Sequence, residues 1–214
     1  ASIILLDKNI PRLETVYDQI LEANGPEPAI YPFDLAGANE SQYEELATTI
    51  ENKYGSLQGL LHSAVDSGIS GPISTLTTAA WAQALNINLN APFLLSRVLL
   101  TVMLKSDHAS IVFTTDSSAR TGKAYKGSYG VSKIAMEGFA KILADELESS
   151  NKIRVNTLIP GPVDSPLRKR TFPAENKNLL PKMESLESVY VYLFSSESLG
   201  VTGQTIDAQS FKTK

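Results

Sequence analysis

Residues 110–133 read SIVFTTDSSARTGKAYKGSYGVSK, and this stretch decides the fold. It opens on a β-branched, apolar run, Ser110 to Thr115, of the kind that forms a buried strand. A short polar loop follows, carrying Asp116, Ser117 and Ser118. The remainder enters a helix expected from about Tyr125 to Ser149. Strand, loop and helix in that order make half of a βαβ unit. Tyr129 and Lys133 lie four residues apart near the start of that helix, so they share one face.

The same alternation continues in both directions. Ser2 to Leu6 reads as a strand, and Pro11 stands in the first turn of a helix carrying Leu13, Val16, Tyr17, Ile20 and Leu21. Asn24 and Gly25 stop it. Ala29 to Phe33 is a second strand, ending at Asp34, and Tyr43, Leu46, Ala47, Ile50 and Tyr54 mark a second amphipathic helix. Gly59 to His62 is a third strand, and a long helical stretch runs from about Thr78 to Lys105. Downstream come a strand at Ile153 to Ile159, a loop rich in proline and charge, a helix at about Ser185 to Phe194 and a closing strand at Gln204 to Asp207. Strands alternating with helices imply an α/β fold, a doubly wound parallel sheet in a three-layer α/β/α sandwich. No linker or repeat interrupts it, so residues 1–214 are expected to form a single Rossmann-like domain.

Composition narrows the function. The chain has 214 residues, 43% apolar and 20% charged, which excludes a disordered chain. With no cysteine, a disulfide scaffold, a thiolate metal site and a cysteine nucleophile are excluded. The two histidines, His62 and His108, cannot make a histidine-rich metal site, and none is expected. A net charge of -4 argues against nucleic acid as a partner. No run approaches the ~18 apolar residues of a membrane span, so no membrane partner is expected. The opening ASIILLDKN has neither basic leader nor small-residue cleavage site, and a cytoplasmic location is expected.

In doubly wound sheets, ligands bind beyond the carboxyl ends of the strands. Asp7 ends the first strand, where an acid holds the ribose hydroxyls of a dinucleotide and repels a 2′-phosphate; Lys8 offsets that repulsion. Asp34 ends the second, placed for an adenine amino group or, more plainly, for capping a turn. A free tyrosine, with pKa near ~10, is a weak acid or base at neutral pH. A neighbouring ammonium would lower the Tyr129 phenol toward neutrality and fit it for proton exchange with a carbonyl or alcohol oxygen. The plainer reading of Tyr129 and Lys133 is a surface pair. Asn88 precedes Pro92 by four residues; proline has no N–H, so the Asn88 carbonyl loses its helical partner and the helix is expected to kink.

These residues resemble the short-chain dehydrogenase/reductase family, and within it the bacterial YciK-like branch. The resemblance spans the chain through ILLDKN, FDL, LLHSA, NINLNAPFLL, the stretch quoted above, RVNTLIPGPVDSPLR and TGQTIDAQ. It implies an NAD(P)-dependent oxidoreductase acting on a small carbonyl or alcohol substrate, such as a 3-oxoacyl thioester or other small ketone. By resemblance Tyr129 is the catalytic acid/base, Lys133 tunes it and holds the nicotinamide ribose, and Asn88 holds a relay water. Asp7, Asp34, Leu35, Ser63, Ala64, Pro160, Gly161, Val163 and Ser165 fall at cofactor-contacting positions together with Tyr129 and Lys133. The long helix and the one after Tyr125 imply a homodimer or homotetramer.

Three departures accompany the resemblance. The family's serine, thirteen residues before the tyrosine, is here Asp116, and an ionised aspartate cannot donate a hydrogen bond. Either Ser117 serves instead, or Asp116 is protonated, or the site is impaired; Ser117 is the favoured reading. The family's Asn-Ala-Gly is Ser63, Ala64 and Val65, where a valine would crowd the cofactor or push the loop outward. The family's first strand, Gly-rich turn and helix have no counterpart before Ser2. The sequence is therefore expected to lack an N-terminal stretch, leaving two strand edges, ending at Asp7 and His62, to face a gap unless another segment or chain fills it. Together these departures raise the alternative of a non-catalytic binding or scaffold relative. Arg168, Lys169 and Arg170, in the charged loop Leu167 to Lys182, are placed either to meet an anionic carrier or as part of a solvated mobile loop.

Overall fold

The computed structural model describes residues 1–212. In chain order its elements are β1 (Ile4–Asp7), α1 (Ile10–Glu22), β2 (Ala29–Pro32), α2 (Glu40–Tyr54), β3 (Gly59–His62), α3 (Thr78–Leu85), α4 (Ala91–Met103), β4 (Ala109–Thr114), α5 (Ser117–Arg120), α6 (Gly127–Leu147), β5 (Ile153–Ile159), α7 (Pro166–Thr171), α8 (Glu187–Phe194) and β6 (Thr205–Asp207). Every strand pair is parallel, as the alternation predicts. The central strands carry side chains to both faces with period two. Ile111 and Phe113 of β4 enter a cluster with Leu95, Leu99, Met136 and Ala140 from α4 and α6. Val112, between them, packs on the opposite face with Leu158, Val189 and Leu193. Burying one such side chain contributes about 1.5–3 kcal/mol, so β4, buried from Ala109 to Phe113, is the stable centre of the sheet.

Local signals set the helix starts. Asn9 caps α1 by accepting from the Arg12 N–H, with Pro11 in the first turn. Asn39 and Gln42 form a reciprocal capping box on α2. The long helical stretch is not continuous. Asn86–Asn90 widens into a π-turn between α3 and α4, in which the Ala91 N–H reaches back to the Asn86 carbonyl. The proline effect foreseen at Pro92 thus takes the form of a π-turn. Counted through, Thr78–Met103 is 26 residues and apolar enough by composition to cross a membrane. Its Leu95, Leu99, Val102 and Met103 are instead buried in the core. Two helices appear where the sequence suggested only loop, the short α5 and α7.

Hydrogen bonding divides the strands into two groups, β1–β2 and β3–β4–β5–β6. Among the described residues no backbone pairing joins β1 to β3. The gap foreseen between Asp7 and His62 is a cleft of about 1040 Å³, with Ile4, Leu6 and Asp7 on one wall and Gly59 to His62 on the other. Leu61 is consequently 44% exposed although it sits in a strand. What holds the two parts together is α2: Tyr43, Leu46 and Ile50 pack in the same cluster as Leu95 and Leu99 of α4.

Candidate active site

Three elements deliver the site, and they converge beyond the carboxyl ends of β4 and β5. Small residues let α6 approach the π-turn closely: Ser128, Gly130 and Ser132 are all buried. Asn88, fully buried, joins them. Its Oδ1 accepts the Asp66 N–H at 2.7 Å, and its Nδ2 donates to the Asp66 carbonyl at 2.8 Å and to Ser132 Oγ at 3.0 Å. One side chain thereby ties the loop after β3 to α6. The site role drawn for Asn88 from the family rested on its backbone carbonyl; what the structure adds is this clamp.

Lys133 projects from α6 into the interior. Its ammonium donates to the Thr114 carbonyl at the end of β4, 2.7 Å away. Burial lowers its pKa from 10.5 to about 8, with the Asp116 carboxylate pulling the other way, so it is charged at neutral pH. The ammonium lies 6.0 Å from the Tyr129 ring centroid, so the two groups face each other as the spacing predicts.

The expected lowering of the Tyr129 phenol is overturned. Its hydroxyl donates to Asp116 Oδ2 at 2.8 Å. Burial, the Asp116 charge and that hydrogen bond together raise the phenol well above its ordinary value of 10.0. Asp116 remains a carboxylate. Burial pulls its pKa up, but the hydrogen bonds from Tyr129 and Ser118 and the Lys126 charge outweigh that and hold it below 3.8. Its Oδ1 takes the Ser118 N–H at 2.7 Å.

That pinning also corrects the reading of Ser117. The loop does not shift; Ser117 is exposed and opens α5, while Asp116 stands against the tyrosine. A one-residue slip would break both bonds to the Asp116 carboxylate. Below it, Glu137 accepts from Thr115 Oγ1 at 2.7 Å and pairs with Arg120, fixing the two ends of the loop. Glu137 and Lys126 were not singled out from the sequence. Spacing was the available signal: Tyr129, Lys133 and Glu137 step by four along one helix face, and Lys126 precedes Tyr129 by three. The Lys126 ammonium lies 5.4 Å from the Tyr129 ring and 5.3 Å from that of Phe172, just past α7.

The cations of the charged loop find partners within the fold rather than standing ready for an anion. Arg168 forms a two-pronged pair with Glu175 at 2.6 Å, Lys169 meets Asp164 at 2.8 Å, and Arg170 donates to Ser67. Two of the three cations are therefore already neutralised. Ser165 caps α7 through the Arg168 N–H.

The other expected cofactor positions fall in two places, the turn after β5 and the cleft between β1 and β3. Gly161 takes φ +72°, and a Cβ there would meet Gln209 Cγ at 2.5 Å, so only glycine fits the turn. Gln209 Nε2 donates to the Pro160 carbonyl at 2.8 Å, and Val163 is buried. Asp7, Leu35, Ser63 and Ala64 line the cleft, and Val65 is half-buried in the loop held by Asn88. Asp7 accepts the Asn9 N–H, and Asp34 caps its own turn through the Ala36 N–H, the plainer of its two readings. His62 is buried, bonded to Ser96 at 3.0 Å and stacked on Phe113 at 4.5 Å. Burial, then the Lys133 charge, lowers its pKa to about 3, so it is a neutral packing residue. The residues present fit a nicotinamide dinucleotide. Lys133 has three N–H donors and spends one on Thr114. The acid Asp7 ends β1, the strand-end position at which an acid meets a ribose.

The sequence model of the short chain dehydrogenase family matches residues 1–176. The chain is 36% identical over 209 residues to the uncharacterized oxidoreductase YciK of Escherichia coli K12, covering 98% of this chain and 82% of that protein. It is 27% identical over 203 residues to the 3-oxoacyl-[acyl-carrier-protein] reductase FabG of Thermotoga maritima, covering 90% and 81%. Among solved structures, a protein from Escherichia coli CFT073 complexed with NADPH superposes with a TM-score of 0.93 at 36% identity, covering 98% of this chain and 86% of that one. A protein from Shigella flexneri complexed with NADP gives 0.94 at 36% identity, covering 98% and 87%.

Proposed function

This chain belongs to the short-chain dehydrogenase family, within it to the YciK-like branch, and from that premise we propose that it is an oxidoreductase using NAD or NADP. Hydride moves between the nicotinamide and the carbonyl or alcohol carbon of a small substrate. A 3-oxoacyl thioester, the substrate named for the Thermotoga relative, and a small ketone are the candidates. The observation that carries the reading is Tyr129 and Lys133 side by side beyond the end of β4, with Asn88 bracing α6 behind them.

Each residue has a distinct task. The dinucleotide, when bound, supplies or accepts the hydride. Lys133 offers its two remaining N–H donors to the ribose. Tyr129 holds the proton that a substrate oxygen takes as it is reduced, and the substrate reaches that proton by displacing the bond to Asp116. Pro160, Gly161, Val163 and Ser165 shape the nicotinamide end, while Asp7, Asp34, Leu35, Ser63 and Ala64 shape the adenosine end. Neither nucleic acid nor a membrane enters this reading, and the protein works in the cytoplasm. Exposed Phe93 on α4 and Val131, Ile134 and Ile142 on α6 support assembly into a homodimer or homotetramer.

The non-catalytic alternative is disfavoured by the family membership and by the assembled Tyr129–Lys133–Asn88 group. The test is a titration of the protein with NADH and with NADPH, followed by a ketone-reduction assay of Tyr129→Phe. We expect micromolar binding of at least one dinucleotide and a loss of at least 100-fold in kcat. Undiminished reduction by the variant overturns the assignment of Tyr129.

A further inference from the structure

Resting on the proposed oxidoreductase function, we infer that Asp116 adapts this site to a carbon–nitrogen double bond carrying positive charge, an iminium, in preference to the ketone of the same skeleton. The geometry is specific. Asp116 lies at hydrogen-bond distance from the tyrosine hydroxyl, where a substrate's reacting heteroatom must also sit. A carboxylate has about four lone-pair sites, and two are taken here, by the Ser118 N–H and the Tyr129 hydroxyl. A donor on the substrate would use the capacity that remains.

A ketone has nothing to donate. As it accepts hydride its oxygen becomes anionic, and an anionic carboxylate beside it opposes that charge. An iminium nitrogen reverses both relations. Its N–H donates to the carboxylate, and its positive charge is matched before reaction. The Lys126, Lys133 and Arg168 charges reach the carboxylate, but their direct contacts lie elsewhere: Lys133 donates to Thr114, Lys126 rests over two aromatic rings, and Arg168 pairs with Glu175.

The step balances with a reduced nicotinamide dinucleotide as the reductant. The iminium carbon gains a hydride and forms a C–H bond. The carbon–nitrogen π pair withdraws onto nitrogen, which becomes a neutral amine and keeps its proton. The oxidised dinucleotide carries the positive charge away. Asp116 loses and gains nothing; it orients the N–H and holds the charge. Tyr129, its proton committed to Asp116, keeps the carboxylate in place.

The experiment compares pyrroline with cyclopentanone, matched in ring size, on the dinucleotide-loaded protein. We expect kcat/KM for pyrroline to exceed that for cyclopentanone by at least 10-fold, and Asp116→Ser to reverse the order. A second readout is independent of turnover: binding of pyrrolidinium to the loaded protein, followed by calorimetry, should weaken at least 10-fold in the variant. Asp116→Asn, which keeps the side chain's outline, replaces the serine variant should that fail to fold. A preference for cyclopentanone in the unaltered protein, or a ratio and pyrrolidinium affinity unmoved by either substitution, overturns the inference alone. Absence of dinucleotide binding overturns the oxidoreductase reading and this inference together. Turnover of neither compound, with pyrrolidinium bound equally by protein and variant, also overturns the inference.

Discussion

Lys133 shows how much one residue's setting governs. A lysine at 4% exposure carries its charge at a cost, because burial disfavours the ammonium. Its folded pKa, about 8, lies below the ordinary 10.5, so between those values the unfolded chain binds more protons. Stability therefore rises with pH across that window, and the penalty stands in full below it. A tenfold weakening of proton affinity on folding corresponds to about 1.4 kcal/mol. The bond to Thr114 offsets part of the penalty. Lys133→Met should thus be more stable than the unaltered protein at neutral pH, by about 1–2 kcal/mol. The difference should close as pH approaches 10.5. Denaturant unfolding of both proteins at several pH values checks this, and a variant less stable at neutral pH refutes it. At the same scale, the Tyr129–Lys133 pair was legible because a spacing of four can mean only one helix face. The direction of the phenol's pKa was not. It depends on Asp116, thirteen residues upstream, whose position against the hydroxyl is set by the turn at Ser118 and the anchoring of the loop by Glu137.

At the scale of elements, the π-turn at Asn86–Asn90 is the joint between the sheet and the site helix. Pro92 announced a disturbance, since its missing N–H must be accommodated somewhere in the preceding turn. What the sequence did not disclose is where the freed geometry points. The turn directs Asn88 inward, where its amide makes three hydrogen bonds with Asp66 and Ser132. Asn88→Ala strands those buried partners and should cost about 2–4 kcal/mol. For a chain of this size that is a Tm lower by roughly 5–10 °C, measurable by calorimetry. An unchanged Tm would mean that the clamp contributes nothing. The charged loop gives the opposite lesson. Its cations suggested an anion site, but Asp164 and Glu175, a few residues either side, neutralise two of them once α7 forms.

At the scale of the molecule, the two strand groups differ in how they are held. β4 and β5 are paired on both edges and buried on both faces, whereas β1 and β2 make a two-stranded ribbon beside an open cleft. Hydrogen exchange should follow this division. Amides of β4 and β5 should exchange slowest, and those of β1, β2 and the cleft-facing edge of β3 markedly faster. Uniform protection across the described strands would refute this division.

The sequence by itself determined the alternation of strands and helices, hence the parallel sheet, because period-two and period-3.6 patterns are local and admit few arrangements. It also determined that Tyr129 and Lys133 share a face. Only the tertiary structure decided which group meets the tyrosine hydroxyl, which cations are spent, and that the phenol is raised rather than lowered. Those outcomes depend on distances between residues far apart in the chain, and charge, burial and hydrogen bonding act through distance rather than through order in sequence.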